Sequence, residues 1–292
     1  MSRIDIRRLT TIDELEAVVS VQRSFWQDPT IFVHRNVLIS CANNGGSVIG
    51  ALDQETVVGF VMSYIGLRHD LSSAIPARDD LKVVSQRMAV LPTYRGQGLG
   101  LRLKLAQRDY ALRLGIDLIT WTFDPLSSRN AHFNLARLGG RVQQYRVNYY
   151  GAGSPLGVLG ISDRLVVDWW IREEATITKF VAAEAGNPSH PVHDHGNVPI
   201  ANPAAHQATR LPQPCTNPNT TSGTQTVLVE IPSDYTRIAE QDRELALAWR
   251  HHIRNVLQEL LDRGYQIVDL ERRGDGDLLQ SFYVLKLYSD PQ

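Results

Sequence analysis

The chain has 292 residues, 43% hydrophobic and 21% charged, with a formal net charge of -1. That is a globular composition with enough chain for one large or two small domains, and its near-neutral balance argues against a dedicated binder of nucleic acid or anionic membranes. Cys41 and Cys215 are too few for a disulfide framework, the N-terminus lacks the apolar core of a signal peptide, and no stretch reads as a bilayer span, so a cytoplasmic protein is the expectation.

Ile4 to Leu9 alternates apolar and polar residues and reads as a half-buried strand. Thr11 followed three residues later by Glu14 is a capping-box signature, and it opens a helix through Leu15, Val18, Val19 and Phe25 that ends before Pro29. Asn43-Asn44-Gly45-Gly46 is a turn. Ser47–Asp53 and Thr56–Leu67 form an antiparallel hairpin, and the second arm is apolar on both faces, as a central strand is. A polar loop with His69, Asp70 and Pro76 follows, and Leu81 to Leu91 returns as a strand.

Pro92 stops that strand, and Arg95-Gly96-Gln97-Gly98-Leu99-Gly100 leads into an amphipathic helix carrying Leu101, Leu105, Ala106, Leu112 and Leu114. A strand, a glycine turn and a helix aim main-chain N–H groups at an anion, and the helix N-terminus adds its unpaired donors and positive dipole end. A P-loop needs Lys-Ser or Lys-Thr after its last glycine, whereas Gly100 is followed by Leu101-Arg102. The dinucleotide fingerprint needs G-x-G-x-x-G, whereas the glycines here are spaced Gly96-x-Gly98-x-Gly100.

Asp117 to Phe123 reads as a short buried strand. Ser127 or Ser128 caps a helix over Arg129 to Leu138, which Gly139-Gly140 ends. Arg141 to Tyr150 and Arg164 to Ile171 read as two more strands. Asp124, at the strand's end before Pro125, suits a general base or an ammonium site, and equally a turn or helix-cap aspartate. His132 is a second catalytic candidate, set against a packed or solvated histidine. Asn130 and Asn134 are candidate binding residues, set against an ordinary polar helix face.

The loop and the strand before it resemble the GCN5-related N-acetyltransferase (GNAT) superfamily, whose acyl-CoA loop reads Arg/Gln-x-x-Gly-x-Gly/Ala, matched by Arg95, Gly98 and Gly100. The order β-α-β-β-β-α-β-α-β-β over about residues 3 to 172 is also that of the GNAT fold, a mixed and mostly antiparallel α/β (α+β) sheet flanked by helices. The resemblance implies acetyl-CoA or another acyl-CoA as co-substrate and no metal. It gives the main chain of Met88, Ala89 and Val90 the pantetheine arm and the acyl carbonyl. Arg95, Gly96, Gln97, Gly98, Leu99 and Gly100 would hold the pyrophosphate. Many members carry an acidic tyrosine ahead of the final Leu-Gly, and here that position is Leu135. The pattern WTFDP…RNAHFN…LG, with Trp249-Arg250 and Gly264-Tyr265, is similar to a GNAT subgroup whose chain continues past the usual domain. That likeness implies transfer of an acetyl or succinyl group to the amine of a small molecule, an amino acid being one class, by a monomer or homodimer. The alternatives are a protein N-acetyltransferase and a non-catalytic acyl-CoA-binding regulator.

Gly186 to Thr224 holds seven prolines and four histidines with almost no large apolar residues, so a flexible linker over 176–225 is expected between a domain at 1–175 and a segment at 226–292. His190, His193, His195 and His206 with Cys215 match no standard zinc spacing. Thr226–Ile231, a helix over Arg243–Arg263, Tyr265–Leu270 and Ser281–Leu287 give a closing β-α-β-β segment, marginal as a domain of its own and expected to pack on the preceding one.

Overall fold

A computed structural model describes residues 3–26, 28–68, 80–186, 196–206, 211–221 and 223–288. The chain divides into two compact units, one of residues 1–121 with 170–172 and one of 122–169 with 173–292. The architecture is a mixed, mostly antiparallel sheet flanked by helices, with further strands toward the C-terminus.

In the first unit the strands β1 (Ile4–Arg8), β2 (Ser47–Asp53), β3 (Thr56–Leu67), β4 (Leu81–Val90) and the start of β5 (Leu118–Phe123) lie side by side in that order. All pairs are antiparallel except β4 with β5. Both faces of β2 and β3 are buried, which is why neither strand shows a polar side. On one face α1 (Ile12–Phe25) and α2 (Arg35–Asn43) set Leu15, Val18 and Leu38 against Val48, Phe60, Met62 and Ala89. On the other, α3 (Leu99–Arg113) sets Leu99, Leu103 and Tyr110 against Ile49, Ala51, Val58 and Val61. The capping box at α1 is formed as expected, with Thr11 accepting from the Glu14 N–H and Glu14 accepting from the N–H of Thr11.

The second unit orders β7 (Arg164–Trp170, of which Trp170 belongs to the first unit), β6 (Arg141–Arg146), β9 (Tyr265–Arg273), β10 (Gln280–Leu287) and β8 (Thr226–Ile231). Val142 of β6 pairs with Ile267 of β9, so the C-terminal strands share a sheet with the β6–β7 pair. The helix α7 (Arg243–Asp262) buries Trp249, Ile253, Val256, Leu257 and Leu260, the 3.6-residue stripe its sequence displays.

Several elements differ from the sequence expectation. Helices α2, α5 (Glu174–Glu184) and α6 (Tyr235–Gln241) are additional. The helix expected over Arg129–Leu138 is a single α turn, α4 (Ser128–Ala131), followed by a π-helix over His132–Arg137. Within the proline-rich stretch, Ala201, Asn202 and Thr220 are buried, where composition alone suggested a solvated linker. Asn202 exchanges hydrogen bonds with both main-chain groups of Glu230, at 2.7 and 2.9 Å, and so docks that stretch on β8. His69, Asp70, Pro76, His190, His193 and His195 lie outside the described residues.

Candidate functional site

The expected acyl-CoA residues Met88–Val90 and Arg95–Gly100 lie in the first unit, and Asn130, the other CoA candidate, lies in the second. Strands β4 and β5 pair in parallel at Val83–Ile119 and Val84–Thr120, after which the recorded pairing ends while β4 runs on to Val90. A bulge marks the same place: Met62 of β3 faces Arg87 and Ser63 faces Ser85, so Gln86 is the extra residue. A bulge bends its strand and raises the local twist, which draws the far half of β4 away from a straight path. Met88 and Val90 pack toward α3 and Ala89 toward α1 and α2, as alternation requires.

Beyond Val90 a 3₁₀ turn at Pro92–Tyr94 leads into the glycine loop. Gly96 and Gly98 hold φ of +76° and +74°, a left-handed conformation that only glycine adopts without strain, and nothing lies within 4 Å of a Cβ added at either. Gly98 is the N-cap of α3, with no side-chain cap and no acidic residue in the first turn. A helix start built this way leaves its N–H groups and dipole to an anion from outside. Arg95 stands at the loop's entrance. Its Nε donates to the Val90 carbonyl at 3.2 Å and its guanidinium lies 5.0 Å from the Phe25 ring centre, so the cation is held rather than swinging in solvent.

On α3 the buried face is not quite the one the leucine spacing suggested. Leu105, Ala106, Leu112 and Leu114 are only half-buried, whereas Leu103, Lys104, Gln107, Tyr110 and Ala111 are buried. The face is turned by about one position, and it takes in a lysine and a glutamine. Their own spacing with Ala111 is helical and was the available signal.

Asp124, Asn130, His132 and Asn134 fall in the second unit. Asp124 accepts from both terminal nitrogens of Arg250 at 2.8 Å each, and its Oδ1 also accepts from the Leu126 N–H at 2.9 Å. Arg250 is fully buried, and Arg164 comes to 3.9 Å from the same carboxylate. Burial opposes the charge on Arg250, but the ion pair with Asp124 outweighs it and keeps the guanidinium protonated. Both of its oxygens are engaged within the protein, the turn arrangement weighed beside the general base, enlarged by an ion pair that joins the WTFDP motif to the Trp249-Arg250 motif. Next to it, Asp163 is fully buried and takes two bonds from Arg254, at 2.8 and 3.0 Å, and one from Tyr145 at 2.7 Å. Sequence reasoning missed this second pair, which joins residues 91 apart.

His132 begins the π-helix and is half-buried. Burial, and then the cations of Arg272 and Arg137, hold its imidazole at about 4, so the ring is neutral near pH 7. Asn130 is exposed on α4, which Ser127 caps. Asn134 is buried, 5% exposed, and its main-chain oxygen accepts from the Gly140 N–H. Leu135 is wholly buried, so no proton donor stands at the position where the resemblance would put a tyrosine. Of the residues weighed as metal ligands, His206 bonds Glu230 at 2.6 Å and Cys215 is half-buried, and the described residues contain no group of three metal-ligating side chains. No described helix is long and apolar enough to cross a membrane.

Residues 12–139 match the model of the acetyltransferase (GNAT) family. No curated protein matches the chain in sequence. Among solved structures, the chain is similar to the ribosomal-protein-S18-alanine N-acetyltransferase of Escherichia coli, at 15% identity over 59% of this chain and 96% of that one, with a TM-score of 0.45. It is also similar to Arabidopsis thaliana NAA60 with a bisubstrate analogue (16% identity, 58% of this chain and 100% of that one, TM-score 0.47). A third is yncA of Salmonella typhimurium, a putative acetyltransferase with acetyl-CoA (18%, 59% and 96%, TM-score 0.42). The family match spans the capped helix, the end of β4 beyond its pairing with β5 and the glycine loop together, so it is residues 12–139 of the chain that match the GNAT acetyltransferase family.

Proposed function

We propose that the chain transfers an acyl group, acetyl or succinyl, from CoA to the amine of a small molecule, an amino acid being the favoured class, by direct attack in a ternary complex. The observation that carries the reading is the continuity of one surface: the end of β4 beyond its pairing with β5, followed at once by an uncapped helix N-terminus behind two left-handed glycines. A CoA thioester presents the matching sequence of groups, an amide-bearing arm and then a pyrophosphate.

In this reading the N–H groups of Leu99, Gly100 and their neighbours neutralise the pyrophosphate, with Arg95 beside them. The main chain of Met88–Val90 takes the pantetheine arm, and an N–H there polarises the thioester carbonyl as negative charge develops on its oxygen. Asn130 adds a polar contact to CoA, and Asn134 helps to shape the acceptor side. The amine attacks the carbonyl carbon, the C–S bond breaks and the thiolate departs with the electron pair. Besides Asp124, His132 is the side-chain candidate to receive the amine's proton. Its low value makes it a weak base, so transfer depends on the amine arriving already deprotonated, and the rate should climb with pH toward the amine's own pKa.

The test is release of free CoA thiol from acetyl-CoA and succinyl-CoA across a panel of amino acids, polyamines and peptides. Release that depends on a small amine supports the proposal and names both substrates. Release only with peptides would move the acceptor to a protein N-terminus. Binding of CoA with no release on any amine would overturn the proposal.

A further inference from the structure

Helix α3 buries two polar side chains where it meets the sheet: Lys104 is 2% exposed and Gln107 is fully buried. Lys104 Nζ lies 3.1 Å from Ser85 Oγ and 2.9 Å from Gln107 Oε1, and Gln107 Nε2 reaches the same serine hydroxyl at 3.1 Å. The amine also stands 3.6 Å from the centre of the Trp121 ring. Ser85 and Trp121 each come one residue after Val84 and Thr120, the last residues that β4 and β5 pair with each other. A single side chain of α3 therefore grips both strands at the point where they part, and the bulge at Gln86 follows immediately on β4.

Placing an amine there opposes stability. Burial drives Lys104 well below its ordinary value, and a methionine would fill nearly the same volume without that cost. What the amine supplies that methionine cannot is direction: a closed hydrogen-bonded triangle with Ser85 and Gln107, and a seat for the face of the indole.

We propose that Lys104 is a positioning residue for acyl transfer, fixing Ser85 and Trp121 at the fork and thereby the line of Met88–Val90 along which the thioester lies. The role rests on the transferase reading above and adds to it a residue on the helix behind the fork.

Lys104→Met, Ser85→Ala and Trp121→Phe would be compared with the wild-type enzyme in CoA release and in thermal melts. Lys104→Met is expected to melt at or above the wild-type temperature while kcat falls roughly tenfold to a hundredfold, because small displacements of the reacting groups are costly. KM for the acyl-CoA should move by less than about threefold, since uniform binding is untouched. Joining Lys104→Met to Trp121→Phe should cost no more than the larger single change, as for residues acting as one unit. An unchanged kcat, additive losses, or a fall in melting temperature that parallels the fall in rate would each overturn the role. If Lys104→Met does not fold, Ser85→Ala should show the same split in milder form, and full activity in it would overturn the role. Wild-type enzyme that releases no CoA on any amine would overturn the transfer reading and this role together, whereas turnover that Lys104→Met leaves intact sinks the role alone.

Discussion

At the residue scale the most informative side chain is Asp124, because two readings of it make opposite predictions. As a base, its loss would abolish turnover and leave the fold intact. As the partner of a fully buried arginine, its loss strands a charge in the interior, which costs about 3–5 kcal/mol. We expect Asp124→Asn to lose stability of that order in urea denaturation. Adding Arg250→Met should recover much of the loss, because no guanidinium is then left unpaired. His132 makes a second prediction, in pH. Its folded value of about 4 lies below the ordinary 6.5, so on acidification the unfolded chain takes up this proton first. The stability linked to a neutral His132 is complete above pH 6.5 and is lost as pH falls through about 4. His132→Gln should flatten the melting-temperature profile across that window, and a wild-type imidazole titrating near 6.5 by NMR would refute the assignment. The chemistry of these residues was legible in sequence as type, not as partnership. Asp124 before Pro125 announced a turn, but its ion-pair partner is 126 residues away.

At the scale of elements, legibility followed local self-sufficiency. The hairpin of β2 and β3 carries its turn and its apolar faces within 21 contiguous residues, 47–67, and was found to the residue. Helix α1 announced itself through its capping box. The missed helices lack such marks. Helix α2 starts at His34 with no side-chain cap and buries only Leu38 and Ala42, and α5 starts at Glu173, equally uncapped. The π-helix has one extra residue in its turn, a change for which no residue type is diagnostic. The glycine loop is legible from its spacing, and under the proposed function it holds the CoA pyrophosphate. Its prediction is that Gly98→Ala binds CoA at least roughly tenfold more weakly by calorimetry, for two additive reasons. A Cβ at φ +74° costs about 1–2 kcal/mol in the left-handed region, and relaxing that strain turns the first N–H groups of α3 away from the anion. The open space around Gly98 excludes a simple clash as the cause. Binding unchanged by the substitution would show that the anion sits elsewhere.

At the scale of the whole molecule, the question is whether the segment after the proline-rich stretch is an ornament or part of the fold. The sequence makes residues 226–292 marginal as a domain of their own and expects them to pack on the preceding one. Within the second unit they are tied to residues 122–169 by strand pairing and by ion pairs. Residues 226–292 supply β9, which covers the edge of β6 at Val142, and they supply both arginines that neutralise Asp124 and Asp163. Burial raises the cost of charge on Asp163, and Arg254, the Asn148 N–H and Tyr145 together more than repay it, leaving its carboxyl below the ordinary range. Without the segment, two carboxylates lose their arginine partners at up to about 3–5 kcal/mol apiece where they stay shielded from water, a strand edge opens, and α7 no longer covers its sheet. The sum approaches or exceeds the whole stability of an ordinary domain, about 5–15 kcal/mol. A chain ending at residue 225 should therefore be aggregated or without a cooperative melt by size-exclusion chromatography and circular dichroism. The same truncation carrying Asp124→Leu and Asp163→Leu tests the electrostatic share of the effect. If charge dominates, it regains solubility. If the open edge and uncovered sheet dominate, it does not, and we expect the second result because the substitutions restore neither β9 nor α7. A monomeric, cooperatively melting 1–225 chain would mean that the proline-rich stretch is a true boundary after all.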